Sequence, residues 1–143
     1  MSVRRVVIDT NIFVSALMSP SGNPAKIHNM FLAGELSLVF NSDIYEEYQD
    51  VLFRQHLGIP LNQAEKVLVA VRYLGEKIEV FPSANAMIDE DDRVFYDTAK
   101  SAGAYLISGN KKHYPDEPFI FSPTEFLELP GTARPKLRTP KLT

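Results

Sequence analysis

The spacing of apolar positions changes along the chain between two patterns, which predict strands and helices. Short apolar runs rich in β-branched residues and bounded by turn residues predict buried strands, and apolar residues three or four positions apart predict amphipathic helices. The predicted strands are Arg5–Ile8, Leu36–Phe40, Lys77–Phe81, Ala104–Ser108 and Phe119–Phe121. The predicted helices are Ile12–Met18, Pro24–Ala33, Asp43–Phe53, Leu61–Leu74, Arg93–Ala102 and Pro123–Leu127.

Because strands alternate with helices, the pattern predicts an α/β fold in which helices cover a parallel sheet of four to five strands. A chain of 143 residues suits one such domain. We assign residues 1–130 to it and expect residues 131–143, which contain two prolines and four basic residues, to form a flexible tail. Ligands of parallel sheets bind outside the carboxyl ends of the strands, where Asp9 follows the first strand.

Charge is distributed unevenly between the domain and the tail. The tail contributes +4 to the net charge of −3, so residues 1–130 carry −7. An acidic domain does not usually bind nucleic acid, unless some of its acids hold divalent cations. The absence of cysteine excludes disulfides and thiolate metal sites and fits a cytoplasmic protein. No apolar run approaches the roughly 18 residues of a membrane helix, so we expect no membrane association.

Two further carboxylates occupy unusual positions on predicted helices. Glu47 falls beside Val51, at the edge of an apolar face, and taken alone is better interpreted as a rim residue with its head in water. Asp92 opens a helix and could simply cap it. However, residues 89–92 are four consecutive acids, and capping needs only one of them. Asp97 lies toward the outer side of the same helix and is expected to be solvated.

A polar segment follows the fourth predicted strand. Asn110 suits an ordinary turn, but its side chain is also a neutral oxygen ligand. Lys111, Lys112 and His113 come next as a positively charged cluster at the same sheet edge or simply a solvated loop, and a histidine such as His113 is more often a surface residue than a base or a ligand. Since Asp9, Asp92 and Asn110 all lie at strand ends or helix starts, a parallel sheet can bring them to one edge. Oxygen ligands of this kind suit Mg²⁺ or Mn²⁺.

The sequence resembles the PIN-domain family, particularly members described as toxins of type II toxin–antitoxin systems. The resemblance rests on VVIDTNIFVSAL, SDIYEEYQDVL and DEDDRVFYDTAKSAGAYLISGNKKHYP and spans nearly all of residues 3–127. It implies a three-layer α/β/α sandwich, Mg²⁺- or Mn²⁺-dependent ribonuclease activity, a cognate antitoxin protein and a homodimer.

The resemblance also implies roles for individual residues. Asp9, Glu47 and Asp92 match the family's acidic metal ligands. Asn110 stands where many members carry another Asp, which implies a weak ligand or a substrate contact, and His113 is a second such position. Hydrogen bonds from Asn11 and Ser108 would orient the ligands, and Lys111 and Lys112 would contact the RNA backbone.

Two other functions are compatible with the residues. A PIN-like module could bind RNA or protein without catalysis, an alternative that Asn110 leaves open. A haloacid-dehalogenase-like phosphatase also places an Asp after its first strand. That enzyme class needs a second acid two residues later, where this chain has Asn11, so we rank it last.

Overall fold

The structure is a computed structural model that describes residues 3–130; the predicted tail lies outside the described residues. The described strands are β1 (Arg4–Ile8), β2 (Leu36–Phe40), β3 (Glu76–Lys77), β4 (Tyr105–Ile107) and β5 (Ile120–Phe121). The α-helices are α1 (Thr10–Met18), α2 (Asn23–Leu32), α3 (Ser42–Leu52), α4 (Leu61–Leu74), α5 (Arg93–Ala102) and α6 (Pro123–Leu127). Short 3₁₀ helices cover Gln55–Leu57, Glu90–Asp92 and Lys111–His113.

The strands form one parallel sheet in the order β3-β2-β1-β4-β5, which confirms the predicted α/β architecture. The chain steps from β1 outward to β3 and then crosses back to β4, on the other side of β1. Right-handed crossovers put α5 on the face opposite α1 to α4, which gives three layers. The reversal also makes the carboxyl ends of β1 and β4 the topological switch point, where such sheets bind ligands.

The core forms where the central strands meet the helices. Val7 and Ile8 of β1, Leu38 of β2, and Leu106 and Ile107 of β4 are fully buried. Their burial on both faces explains why these strands read as continuous apolar runs.

Helix ends are set by local side-chain and backbone chemistry. The Asn41 side chain caps α3 by accepting a hydrogen bond from the Ile44 amide at 2.9 Å. Helix α5 ends at Gly103, whose φ of 63° is left-handed and therefore favours glycine. Predicted helices α4, α5 and α6 have the observed bounds, whereas α1 begins two residues early, at Thr10, because Asp9 caps it.

The predicted third strand, Lys77–Phe81, is wrong over most of its length. Glu76 and Lys77 pair with Val39 and Phe40, and the Ile78 amide still donates to the Phe40 carbonyl at 2.9 Å. Strand β2 ends there, because Asn41 starts the next helix. The following residues therefore have no strand to pair with, and residues 78–89 form an irregular segment that we call the strap.

No helix within residues 3–130 is long and apolar enough to cross a membrane.

Candidate active site

Asp9 lies at the switch point between β1 and β4, and neighbouring groups fix its carboxylate. The side chain is buried, with an exposed fraction of 5%. Its Oδ2 accepts hydrogen bonds from Ser108 Oγ at 2.8 Å and from Tyr114 OH at 3.0 Å. Its Oδ1 accepts a longer bond of 3.3 Å from the Asn11 amide, the capping bond of α1. The better-bonded oxygen is thus held in place, while Oδ1 retains acceptor capacity.

The predicted orienting residues reach Asp9 in different ways. Ser108 contacts it with its hydroxyl, and that hydroxyl also accepts the Asn110 amide hydrogen at 2.9 Å. Asn11 uses only its backbone amide, and its side chain is exposed. Asn110 is therefore one hydrogen bond removed from Asp9. Its side chain makes no hydrogen bond to Asp9, Glu47 or Asp92 in the described part of the chain.

Helix α3 carries Glu47 to this edge and is tied directly to β1. The buried Tyr48 hydroxyl donates to the Ile8 carbonyl at 2.6 Å. Since Glu47 precedes Tyr48 and Asp9 follows Ile8, this bond links the neighbours of two candidate ligands. Glu47 itself is half-buried and takes part in no hydrogen bond or ion pair among the residues that the structure describes.

Asp92 is free of the capping role that was its simplest explanation. The Asp89 carboxylate caps the acidic turn by accepting from the Asp91 amide at 3.0 Å. Asp92 precedes α5 without making a side-chain capping bond, and it is half-buried. Like that of Glu47, its side chain makes no hydrogen bond or ion pair within residues 3–130.

Burial and mutual repulsion disfavour the charged forms of these two acids. Burial raises the pKa of Asp92 to about 6, the charges of Asp9 and Asp89 add to the rise, and His113 opposes it. Burial also raises the pKa of Glu47; the charge of Arg54 opposes the rise, and acids that include Asp9 add to it. Asp9 thus acts electrostatically on both Glu47 and Asp92, and a cation among the three carboxylates would relieve the cost.

The donor set fits a hard divalent cation in chemical type. It supplies carboxylate oxygens from three elements, and the side chains of two members make no hydrogen bond or ion pair within residues 3–130. The Thr10 hydroxyl, next to Asp9, is buried without a hydrogen-bond partner within residues 3–130, as is usual where water or an ion belongs. As the described side chains stand, however, no three His, Asp or Glu residues are close enough to hold one ion.

A comparison with known families settles which fold family carries this site. A family description of the PIN domain matches residues 5–112. The chain belongs to the PIN-domain family. It is also 32% identical over 111 residues to the uncharacterized protein MJ1680 of Methanocaldococcus jannaschii, covering 75% of this chain and 71% of that protein.

Membership of the PIN-domain family supports a general class of function. PIN domains are typically nucleases, which supports a hydrolase that acts on nucleic acid. PIN-domain nucleases usually use divalent metals, in keeping with the oxygen donors described above. The phosphatase alternative receives no support from this membership.

The predicted RNA-contacting residues of this PIN domain differ in availability. The Lys111 ammonium forms an ion pair with Glu125 at 3.0 Å. Lys112 and His113 are exposed, and the charge of His113 lowers the pKa of Asp92, which places it beside the acids. Lys112 and His113 are thus better placed than Lys111 to meet a phosphate.

The prediction that Asp97 is solvated is wrong. Its side chain has an exposed fraction of only 4%. The Ser83 hydroxyl donates to Asp97 Oδ1 at 2.6 Å, and Arg93 Nη1 lies 3.7 Å from the same oxygen. The strap covers this face of α5, and the helix pattern gives no sign of that cover.

Tyr114 was not predicted to be part of the site, yet it contacts Asp9 directly. Its hydroxyl is a donor held in a buried position, and burial next to Asp9 and Asp92 raises its pKa far above the ordinary value. The phenol therefore stays protonated and able to donate. The only available sign was an aromatic residue with a polar end inside the polar segment KKHYP.

Proposed function

We propose that this PIN domain is a Mg²⁺- or Mn²⁺-dependent ribonuclease that hydrolyses RNA phosphodiester bonds. The observation that carries the proposal is the pair of half-buried acids, Glu47 and Asp92. Their side chains make no hydrogen bond or ion pair within residues 3–130, and both lie in the field of the fixed Asp9 carboxylate. An acidic domain needs cations to accept a polyanion, and these acids could hold them.

In the proposed mechanism, Asp9, Glu47 and Asp92 hold the cation, and Asn110 is a weak additional donor. The bound cation would lower the pKa of a water molecule and neutralise charge on the phosphate. Ser108 and Tyr114 keep Asp9 Oδ2 in a fixed orientation, as outer partners of metal ligands do.

Other residues of the chain contribute substrate binding and alignment. The exposed Lys112 provides positive charge for the RNA backbone. The Tyr48 bond keeps α3, and with it Glu47, in register with β1.

The Asp9→Asn variant tests the proposal. We expect Mg²⁺-dependent cleavage of a single-stranded RNA to fall by at least about 100-fold, because a principal ligand charge is lost. A fluorogenic RNA assay measures the rate, and thermal unfolding shows whether the fold is intact. Asp116→Asn, an exposed acid outside the site, is the matched control. Undiminished cleavage by Asp9→Asn would contradict the proposal.

We further infer that the protein is the toxin of a type II toxin–antitoxin pair and forms a homodimer. The sequence resemblance to such toxins supports this role, which implies a small antitoxin encoded beside it. Co-expression with the neighbouring small protein, followed by purification and growth assays, tests the pair. A neighbour that neither binds nor relieves growth arrest would oppose it.

A non-catalytic PIN module that binds RNA or protein is the second candidate. It is favoured by the absence of a closed group of three ligands within residues 3–130 and by Asn110 in place of an acid. Calorimetric titration with Mn²⁺ separates the two, because such a module would bind no ion that depends on Asp9, Glu47 and Asp92.

A further inference from the structure

A groove of about 520 Å³ lies between α3 and α4, away from the acids described above. Tyr45 and Gln49 line it from α3, Arg72 from α4, and Lys77 from the end of β3. Tyr45 and Gln49 are four positions apart, so they share one face of α3. Glu47 lies two positions from both and so on another face, which makes this groove separate from the proposed metal site.

Arg72 is held in this groove by aromatic groups and not by an acid. Its Nη1 donates to the Tyr45 hydroxyl at 2.7 Å. The guanidinium carbon lies 5.9 Å from the Tyr45 ring centre and 5.8 Å from that of Tyr73. By contrast, Arg5, Arg54 and Arg93 each pair with a carboxylate. Among the described residues Arg72 has no such partner, so its positive charge is oriented but not neutralised.

Lys77 adds a second uncompensated cation to the groove. Its side chain is exposed and takes part in no hydrogen bond or ion pair in the part of the chain that the structure describes. Glu46 also lines the groove but forms an ion pair with neither Arg72 nor Lys77. Two available cations beside an aromatic surface are unusual on a domain that carries −7.

The groove lies at the same edge of the sheet as Asp9. Lys77 pairs with Phe40, the last residue of β2, so it stands at the carboxyl end of β3. One strand separates β3 from β1, which puts their ends roughly 10 Å apart. Glu46 and Gln49 line both this groove and the acidic hollow that contains Glu47. An extended strand of nucleic acid can therefore cross α3 from one to the other.

We propose that this groove is a nucleotide subsite for the single-stranded RNA that flanks the cleaved bond. A base would stack on the Arg72–Tyr45 pair. The ring of Tyr73 lies next to Arg72 but outside the groove lining, and with an exposed fraction of 77% it offers a second stacking surface. Arg72 and Lys77 would bind the adjoining phosphates. This inference rests on the proposed ribonuclease function and identifies where that enzyme would bind the RNA beside the cleaved bond.

The test measures binding of a fluorescein-labelled ten-nucleotide RNA by anisotropy, with Mg²⁺ present and in the Asp9→Asn background to prevent cleavage. We expect Arg72→Gln and Lys77→Gln each to weaken binding about five-fold. Each should also reduce the slope of log affinity against log salt by about 0.7, the value for one phosphate contact on a single strand. Lys26→Gln, an exposed lysine on α2, should change neither quantity.

Two further variants separate stacking from charge. Tyr45→Phe keeps the ring and should retain most of the affinity, whereas Tyr73→Ala should lose about five-fold or more with an unchanged salt slope. Unchanged affinity and salt slope in both Arg72→Gln and Lys77→Gln would overturn the subsite. Equal competition by polyglutamate would also overturn it, since the groove would then recognise acidic protein.

The outcomes distinguish this inference from the proposed function. If the unaltered protein cleaves RNA and Arg72→Gln leaves KM and the salt slope unchanged, the subsite fails and the nuclease stands. If no cleavage is found but RNA binding depends on Arg72 and Lys77, the nuclease fails and the subsite stands.

Discussion

At the scale of single residues, the carboxylates of the site differ in their hydrogen bonding within residues 3–130: that of Asp9 is hydrogen-bonded, and those of Glu47 and Asp92 are not. Asp9 Oδ2 accepts hydrogen bonds from the hydroxyls of Ser108 and Tyr114, and Oδ1 accepts the bond that caps α1. Glu47 and Asp92 lack partners within residues 3–130, although each is half-buried. A half-buried charge without a partner is costly. A bound cation would therefore stabilise the charged forms of these two side chains the most.

Tyr114→Phe tests whether the hydroxyl bond to Asp9 matters for function. We expect Mg²⁺ affinity or RNA cleavage to fall about 10-fold, because an outer partner of a ligand is lost. The free energy of unfolding should fall by about 1 kcal/mol, the net value of one hydrogen bond. Calorimetric Mg²⁺ titration and the cleavage assay measure the first effect, and chemical denaturation the second.

Tyr105→Phe is the matched control for that variant, since the Tyr105 hydroxyl has no hydrogen bond in the described range. Equal Mg²⁺ affinity and equal cleavage in the Tyr114 variant and this control would show that the Asp9 contact is only structural.

The sequence pattern predicted the position of Asp9 but not its surroundings. A strand that ends in a carboxylate can be read locally, because a buried run of apolar residues stops there. Tyr114 is 105 positions away from Asp9 in the chain, and only the β1–β4 pairing brings the two together. The orienting role of Ser108 was predicted only from the family resemblance, because a serine at the end of a strand has no distinctive sequence pattern.

At the scale of elements, the strap is fastened to α5 next to Asp92. Arg93 donates to the Ser83 carbonyl at 3.0 Å and to the Asn85 carbonyl at 2.6 Å. Ser83 in turn donates to the buried Asp97. Since Arg93 directly follows Asp92, the same contacts that hold the strap also fix the start of α5. We call these contacts of Arg93, Ser83, Asn85 and Asp97 the clasp and expect it to keep the acidic turn, residues 89–92, in place.

Asp97→Ala tests the clasp. The variant removes the acceptor of Ser83 and one of the two carboxylates near Arg93, which keeps its ion pair with Glu90, so we expect a loss of about 1–2 kcal/mol in the free energy of unfolding. Proteolysis should increase first within residues 78–89. Asp50→Ala is the control, because it removes an exposed ion pair with Arg54 worth at most about 1 kcal/mol. Unchanged proteolysis of the strap in the Asp97 variant would contradict the clasp.

The strap also explains why element-scale prediction failed on this side of the sheet. Residues 77–81 have a strand-like composition, but a strand needs a neighbour, and β2 ends at Phe40. Once that segment leaves the sheet it covers α5, which buries Asp97. Helices α4, α5 and α6 were predicted with the correct bounds because their caps and glycine stops are local signals.

At the scale of the whole molecule, the acidic edge couples stability to pH, and the proposed metal site would couple it to metal as well. The raised pKa values mean that the folded protein binds protons at Asp92 and Glu47 more tightly than the unfolded chain does. The stabilising contribution is complete below the unfolded value of about 4. It is lost as pH rises to about 6, the folded pKa of Asp92. A cation bound at neutral pH would offset that loss.

Asp92→Asn therefore has opposite expected effects with and without metal. In EDTA the variant should gain thermal stability relative to the unaltered protein between pH 4.5 and pH 7.5, because Asn mimics the protonated carboxyl and avoids the repulsion. With 10 mM Mg²⁺ at pH 7.5 the unaltered protein should gain Tm and the variant should not, since only the former binds the ion. Differential scanning calorimetry measures all four conditions, with Asp116→Asn as the exposed-acid control. Equal Mg²⁺ shifts for the Asp92 variant and the unaltered protein would remove Asp92 from the metal site and leave its raised pKa as a cost of burial alone.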